Sequence, residues 1–341
     1  MRRWTTFLIA VAASMAMAAP ALACGGLVAP NGTVNLVRTT TFAGYHDGVE
    51  HYVTSFEYAG GGGKFGSIIP LPGIPSDVVR GGDWTLQRLV EEVQPPVARR
   101  GLVAFAGASA DSAEVVLETR IDALDITVLK GGADEVGKWA LDNGFALPPD
   151  APEVLEFYAR RSPIFMAARF DAAEAERLGQ GIGDGTPIHL SIPTQNPWVP
   201  LRILSLGRQA SETVEADVFL LTDARPALLP LPGTTMDLAA SEPASKDLLA
   251  DLRSDKGMEW IPEDDMWLSY LKIDTAAGAL DHDLAIDPTG LGTPSKVAAG
   301  LVLPEEIVEA AARTPLWAWA LAAALVVLTL AFGNRIVMSS R

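Results

Sequence analysis

The stretch DAPEVLEFYARRSPIFMAARFDAAE, residues 150–174, contains the alternation from which the fold is read. Asp150-Ala151-Pro152-Glu153 is a capping box with proline inside the first turn, and Val154, Leu155 and Tyr158 follow on one helical face. Pro163 to Phe170 then reads as a strand. Asp171-Ala172-Ala173-Glu174 opens a second short helix with a second box. On the N-terminal side, Asp134 opens a helix carrying Val136, Trp139 and Ala140, which Asn143-Gly144 closes with a C-terminal glycine. On the C-terminal side, Gly179 to Gly185 is a loop, and Ile188–Ile192, Leu201–Leu206 and Ala216–Thr222 read as strands.

The same alternation extends to both ends of the chain. Thr33–Phe42 and His51–Tyr58 are rich in Thr, Val and aromatics, the second with a period of two, and Asp47-Gly48 between them predicts an antiparallel hairpin. Gly60 to Gly66 resembles a phosphate loop only superficially: Lys64 is followed by Phe65, and no helix is predicted next. Ile68 to Pro75 is a buried extended segment ending in a turn. Asp83 is expected to cap a helix bearing Trp84, Leu86, Leu89, Val90 and Val93, stopped by Pro95-Pro96. Residues 97–112 form an Ala/Gly-rich loop, and Val115–Ile121 and Ile126–Leu129 are strands. Trp267 to Asp287 holds two more. The fold class is therefore α+β: strand-rich and largely antiparallel, with short interspersed helices.

One segment echoes another. Ile68-Ile69-Pro70-Leu71-Pro72-Gly73 returns as Leu228-Leu229-Pro230-Leu231-Pro232-Gly233. Asp77 and Asp237 follow four residues after each glycine, and each copy leads into an amphipathic helix. Two related strand–turn–helix units, about 33–130 and 131–287, are one reading. The other is that Pro-Leu-Pro-Gly is a common way to end a strand.

The two ends have a different character. Met1-Arg2-Arg3, an apolar run from Phe7 to Ala19, and Ala21-Leu22-Ala23 before Cys24 make up the three parts of a secretory signal. Residues 1–23 are thus expected to be removed between Ala23 and Cys24. A lipoprotein signal fits less well, because Ala21 and Leu22 stand in reversed places, and Cys24 is left free, lipidated or paired with another chain. Residues 316–333, after Pro315, are uncharged and apolar over a length that just crosses a hydrocarbon core. Trp317 and Trp319 sit at the entry, and Arg335 follows the exit, as membrane-interface residues do. That pattern predicts one transmembrane helix at the cytoplasmic membrane. Residues 24–287 then form the extracytoplasmic domain, 288–315 a linker with a short acidic helix, and 334–341 a cytoplasmic tail.

All 42 acidic residues lie between the apolar ends, while Arg2, Arg3, Arg335 and Arg341 lie outside. The segment between therefore carries 22 basic against 42 acidic residues, a formal charge of −20. Such a surface repels nucleic acid and anionic headgroups. A single cysteine excludes a disulfide within the chain, so burial must supply the stability. His46 and His51 flank the hairpin turn beside Asp47 and Glu50, but neither spacing nor residue set matches a ligand pattern. His282, between Asp281 and Asp283, reads as strand alternation rather than a calcium loop. Neither a Gly-x-Ser-x-Gly elbow nor a His-Glu-x-x-His pair occurs. No catalytic, cofactor-binding or metal-ligating residue is assigned.

Taken in order, several segments together resemble the bacterial domain-of-unknown-function family 2330. They are Cys24-Gly25-Gly26, Ile68 to Pro75, Trp139 to Pro148, Phe165 to Phe170, Pro187 to Leu190, Pro200 to Ile203, Trp267 to Leu271, and Asp283-Leu284. The resemblance implies export and a C-terminal tether, and supplies no activity, ligand or catalytic residue. A second cysteine often present in similar chains is replaced here by the Leu27-Val28-Ala29-Pro30 segment. The expected function is a non-catalytic binding or assembly module of the cell envelope, partnered by the membrane and another envelope protein. The alternative is an anchored hydrolase drawing its acid/base pair from the carboxylates. The expected contact surfaces are the loops around Lys64 and Gly107.

Overall fold

The computed structural model describes residues 26–28, 39–57, 65–93, 115–179 and 185–306. In chain order it opens with β1 (Gly26–Val28), β2 (Thr39–His46), β3 (Val49–Glu57), β4 (Phe65–Pro70), β5 (Asp77–Arg80) and the helix α1 (Thr85–Val93). There follow β6 (Val115–Ile121), β7 (Leu124–Lys130), α2 (Ala133–Asp142), α3 (Ala151–Ala159), β8 (Ile164–Phe170) and α4 (Ala172–Arg177). The last part holds β9 (Gly185–Pro193), β10 (Trp198–Val199), β11 (Thr213–Thr222), β12 (Ala227–Leu229), β13 (Met236–Pro243), α5 (Lys246–Ser254), β14 (Trp267–Ala276) and β15 (Leu284–Asp287). Strand-rich, mostly antiparallel sheets with a few short helices make the class α+β, as the alternation around residues 150–174 predicts.

Among the described residues the strands form three sheets: a five-stranded β1-β4-β8-β7-β6, a three-stranded β10-β15-β12, and a seven-stranded β13-β14-β11-β2-β3-β9-β5. The Asp47-Gly48 turn that starts the largest sheet has positive φ at both residues, 49° and 81°. That is the hairpin geometry whose twist matches its strands. One face of the seven-stranded sheet carries Phe42, Val53, Phe219, Leu221 and Leu268 under Leu89 of α1 and Leu248, Leu249 and Leu252 of α5. The residues alternating with these, including Ala43, Tyr52, Leu190, Val218 and Leu271, join the five- and three-stranded sheets and helices α2 and α3 in a second core.

The echoed segments take matching places. On either side of β2, the strand next to it (β3 or β11) is followed by a strand of another sheet (β4 or β12), a Pro-Leu-Pro-Gly turn, the strand at that edge of the large sheet (β5 or β13), and a helix. A strand between the two that belong to the large sheet (β9 or β14) completes each half. The two helices meet, with Arg88 on Asp251 at 2.8 Å. A strand thus stands between each turn and its helix, where a direct strand–turn–helix passage is expected from sequence. The repeated succession covers residues 49–93 and 213–254.

Three local expectations fail because distant side chains take over backbone donors. Leu201–Leu206 is not a strand: Arg202–Ser205 curls into a 3-10 turn. The Asp283 carboxylate accepts the N–H groups of Leu201 and Arg202, at 2.7 and 2.9 Å. Asp150 does not cap α3 with its side chain, which instead accepts the Gly207 N–H at 2.9 Å, and Glu153 pairs with Arg202 at 2.6 Å. Asp83 turns to Arg80, and the first N–H of α1, on Thr85, is taken by Asp255 at 2.8 Å. Gly82 leaves the space for this, since a Cβ there would meet the Asp255 carboxylate at 2.0 Å. Asp171 does cap α4, through the Glu174 N–H at 3.1 Å.

Residues beyond β15 continue to pack: Asp283 donates its N–H to the Ala299 carbonyl, and Ala298 and Ala299 are buried. The compact unit ends at Gly300. Residues 301–306 begin a separate unit, in which Glu306 accepts the Leu303 N–H at 3.1 Å. Among the described residues no helix is long and apolar enough to cross a membrane. The 316–333 run lies outside them.

Candidate functional site

Strand pairing collects three of the four histidines on one sheet face. Gly44 stands opposite His51, His46 opposite Val49, and Val53 opposite His189. His51 Nδ1 lies 3.0 Å from His189 Nε2, and both rings are buried. The indole of Trp260 lies flat on His51, with ring centroids 3.9 Å apart and planes within 3°. Gly44 makes that stack fit, because a Cβ there would meet the same indole at 2.3 Å. His46 is more accessible and binds Asp223 at 2.6 Å. His282 is remote from the row and rests on Asp281.

Burial sets the charge state of His51 and His189. It drives His51 down from 6.5 to about 3, helped by His189 and His46. It drives His189 down to about 4, against the pull of Asp77 and Glu259. The pair is neutral at pH 7 and joined by one N–H···N bond. The pair ties β3 to β9, and the Trp260 stack on His51 joins the 255–266 segment to the sheet. The hairpin metal set considered from sequence does not assemble: Glu50 points to the opposite face, and His46 takes Asp223. Among the described residues no group of three or more His, Cys, Asp or Glu is placed to hold a metal ion.

On that opposite face Glu50 is 1% exposed and accepts the Trp198 N–H at 3.3 Å, while its other oxygen has no partner among the described residues. Burial drives its carboxyl up to about 8, against the lowering effect of that N–H. A folded-state value above the unfolded one means stability is fully present below about pH 4.5 and is lost as pH rises toward 8. Glu50→Gln keeps the acceptor without the charge. It is expected to raise the unfolding free energy by about 2 kcal/mol or more at pH 8 and to change it little at pH 4.5. Urea titrations at the two pH values measure this, and equal effects at both would contradict it.

A third polar group is structural. Asp283 is fully buried; its Oδ1 accepts from the Tyr158 hydroxyl (2.9 Å) as well as from Leu201 and Arg202, and its Oδ2 from Arg161 at 2.5 Å. The Tyr158 oxygen in turn accepts the Ile203 N–H at 2.8 Å. Arg161 also lies over the rings of Phe157, Tyr158 and Trp198, 4.2 to 4.9 Å from their centroids. Every strong donor around Asp283 is used within the protein, which leaves this cluster a knot of the core.

The accessible feature lies at the β13 end of the large sheet. β13 has eight residues and, among the described residues, pairs only with β14. Beside it runs an apolar groove of about 490 Å³, lined by Leu228, Leu229, Leu231, Pro232, Leu238 and Pro294 among others. Leu231 on its wall is 79% exposed. A smaller depression of about 350 Å³ lies between α2 and α3 around Leu141 and Leu147. Sequence reading missed the β13 site, although Leu231 in an exposed Pro-Leu-Pro-Gly turn was an available sign. Ala23, Cys24, Trp317, Trp319 and Arg335, and the loops around Lys64 and Gly107, lie outside the described residues.

Comparison with known proteins yields a family and remote likenesses of shape among solved structures. The model of an uncharacterized protein conserved in bacteria, domain of unknown function 2330, matches residues 18–228. No curated protein matches the chain. Among solved structures, the crystal structure of baculovirus P35 is 10% identical, with 74% of this chain and 96% of that one covered and a TM-score of 0.40. A mutated baculovirus P35 after caspase cleavage is 9% identical, with 73% and 99% covered and a TM-score of 0.37. The chain belongs to the bacterial domain-of-unknown-function family 2330.

Proposed function

We propose that this chain is an extracytoplasmic binding module, tethered to the cytoplasmic membrane by residues 316–333, that engages another envelope component and transforms no substrate. The observation that carries the reading is the β13 edge: a strand with no second strand partner among the described residues, beside an open apolar groove, on an acidic chain. Exposed strand edges invite pairing with another chain, and exposed apolar grooves supply the side-chain pockets. The signal pattern before Cys24 and the run after Pro315 support the placement. The convergent titratable groups support a non-catalytic role, because His51, His189, Glu50 and Asp283 are buried and committed to the core.

Whole-cell chemical crosslinking followed by recovery of the intact membrane chain tests this. The expected result is an envelope protein whose yield falls at least tenfold with Leu231→Asp. Recovery of no partner, or of one indifferent to Leu231, would contradict the reading.

A further inference from the structure

Building on that reading, we infer that the β13 edge binds one extended peptide segment of a partner protein in which apolar residues alternate with lysine or arginine. β13 is the longest edge strand among the described residues; β5, β1, β10 and β12 have four residues or fewer, and β6 has seven. Its residues from Asp237 to Pro243 are all at least partly exposed. An antiparallel or parallel peptide added there gains main-chain hydrogen bonds from the edge and specificity from alternate side chains.

The two faces of the edge define the peptide. Leu238 and Ser241 stand opposite Leu271 and Ser269 of β14 and face the groove. Side chains of an added strand on that face would enter the apolar space bounded by Leu229, Leu231 and Pro232. Asp237 and Glu242 stand on the other face, opposite Lys272 and Leu268. Both acidic residues are exposed. Lys272 partly offsets Asp237, whereas Glu242 faces an apolar partner, so cationic side chains on this face meet net negative charge. The chain's overall excess of acidic residues draws the same partner from a distance.

The same charges reject a second copy. Two β13 strands paired antiparallel about a twofold axis between Ala239 and Ala240 would set Asp237 against Glu242 twice, and like charges directly opposite are destabilising. The bulge between Leu238 and Ala240 and the Pro243 terminus restrict the register to a short strand, which also disfavours extended self-pairing. Arg225, at the groove, is held over the ring of Trp267, 6.0 Å from its centroid.

The test is fluorescence anisotropy with the detergent-solubilised full chain and two labelled heptapeptides, one alternating lysine with valine and one alternating glutamate with valine. The lysine peptide is expected to bind saturably, with affinity on the order of micromolar that weakens as salt rises. Leu231→Asp is expected to weaken it at least tenfold. The double variant Asp237→Lys with Glu242→Lys is expected to reverse the preference toward the glutamate peptide. All three positions are exposed, and a circular dichroism spectrum unchanged from the parent checks the fold. Absence of saturable binding, equal binding of both peptides, insensitivity to the variants, or self-association of the chain through this edge would overturn the inference. Should the peptides fail while a Leu231-dependent partner is still recovered from cells, the peptide chemistry falls and the binding-module reading stands.

Discussion

Replacing Asp283 by alanine is expected to remove about 3–5 kcal/mol of stability, enough to unfold a marginal domain. The cost comes from what is left behind. Arg161, 2% exposed at its side chain, would keep its charge without its carboxylate, and the Leu201 and Arg202 N–H groups would lose their acceptor. The Tyr158 hydroxyl would lose its acceptor too. Asp283→Asn keeps the shape and one acceptor oxygen but not the charge, so a smaller loss of about 2–3 kcal/mol is expected. Urea unfolding followed by tryptophan emission measures both variants. A loss below about 1 kcal/mol for the alanine variant would show that the knot is not a stabilising centre.

Mild acid is expected to weaken the domain through the buried histidine pair. A histidine held below its unfolded value contributes stability that is present near neutral pH and lost as pH falls below about 6.5, because the unfolded chain then takes up protons that the folded chain refuses. Each of His51 and His189 sheds up to about 1.4 kcal/mol per pH unit until the folded values of about 3 and about 4 are approached. Glu50 works in the opposite direction across part of that range, since its folded value of about 8 lies above the unfolded one. The clean measurement is therefore made in Glu50→Gln, where an overall loss of about 3–4 kcal/mol between pH 6.5 and 4.5 is expected. Adding His51→Phe keeps an aromatic ring beneath Trp260 and should halve that slope. A flat profile in Glu50→Gln would contradict a buried neutral pair.

What the sequence made legible was local. The Asp47-Gly48 hairpin, the Asn143-Gly144 end of α2, with Gly144 at a φ of 79°, and the Asp171 cap all depend on residues within a few positions of one another. Their backbone requirements are written in the residue types themselves. The failures were long-range. Asp255 caps a helix 170 residues earlier in the chain, and Asp283 reshapes the backbone at Leu201 and Arg202 from about 80 residues away. Asp150 and Glu153 had the right spacing for a box but found better partners in Gly207 and Arg202. Composition could not announce the histidine row, because His51 and His189 are 138 residues apart and meet only through the β3–β9 register. The Pro-Leu-Pro-Gly echo was visible as text, but its matching places on either side of β2 follow only from the strand order. The candidate binding edge was hidden for the same reason: whether a strand is interior or terminal is a property of the sheet.

The most direct measurement places a photo-crosslinking amino acid at Ala239, on the β13 edge, in the full-length chain expressed in cells, with a second chain carrying it at Leu141 as control. Leu141 is also well exposed, at 69%, but belongs to the separate depression beside α2. The binding reading predicts a discrete adduct with a different envelope protein from position 239, absent from position 141 and lost in the Asp237→Lys, Glu242→Lys background. No adduct at 239, an adduct only with a second copy of the chain, or equal adducts at both positions would contradict it.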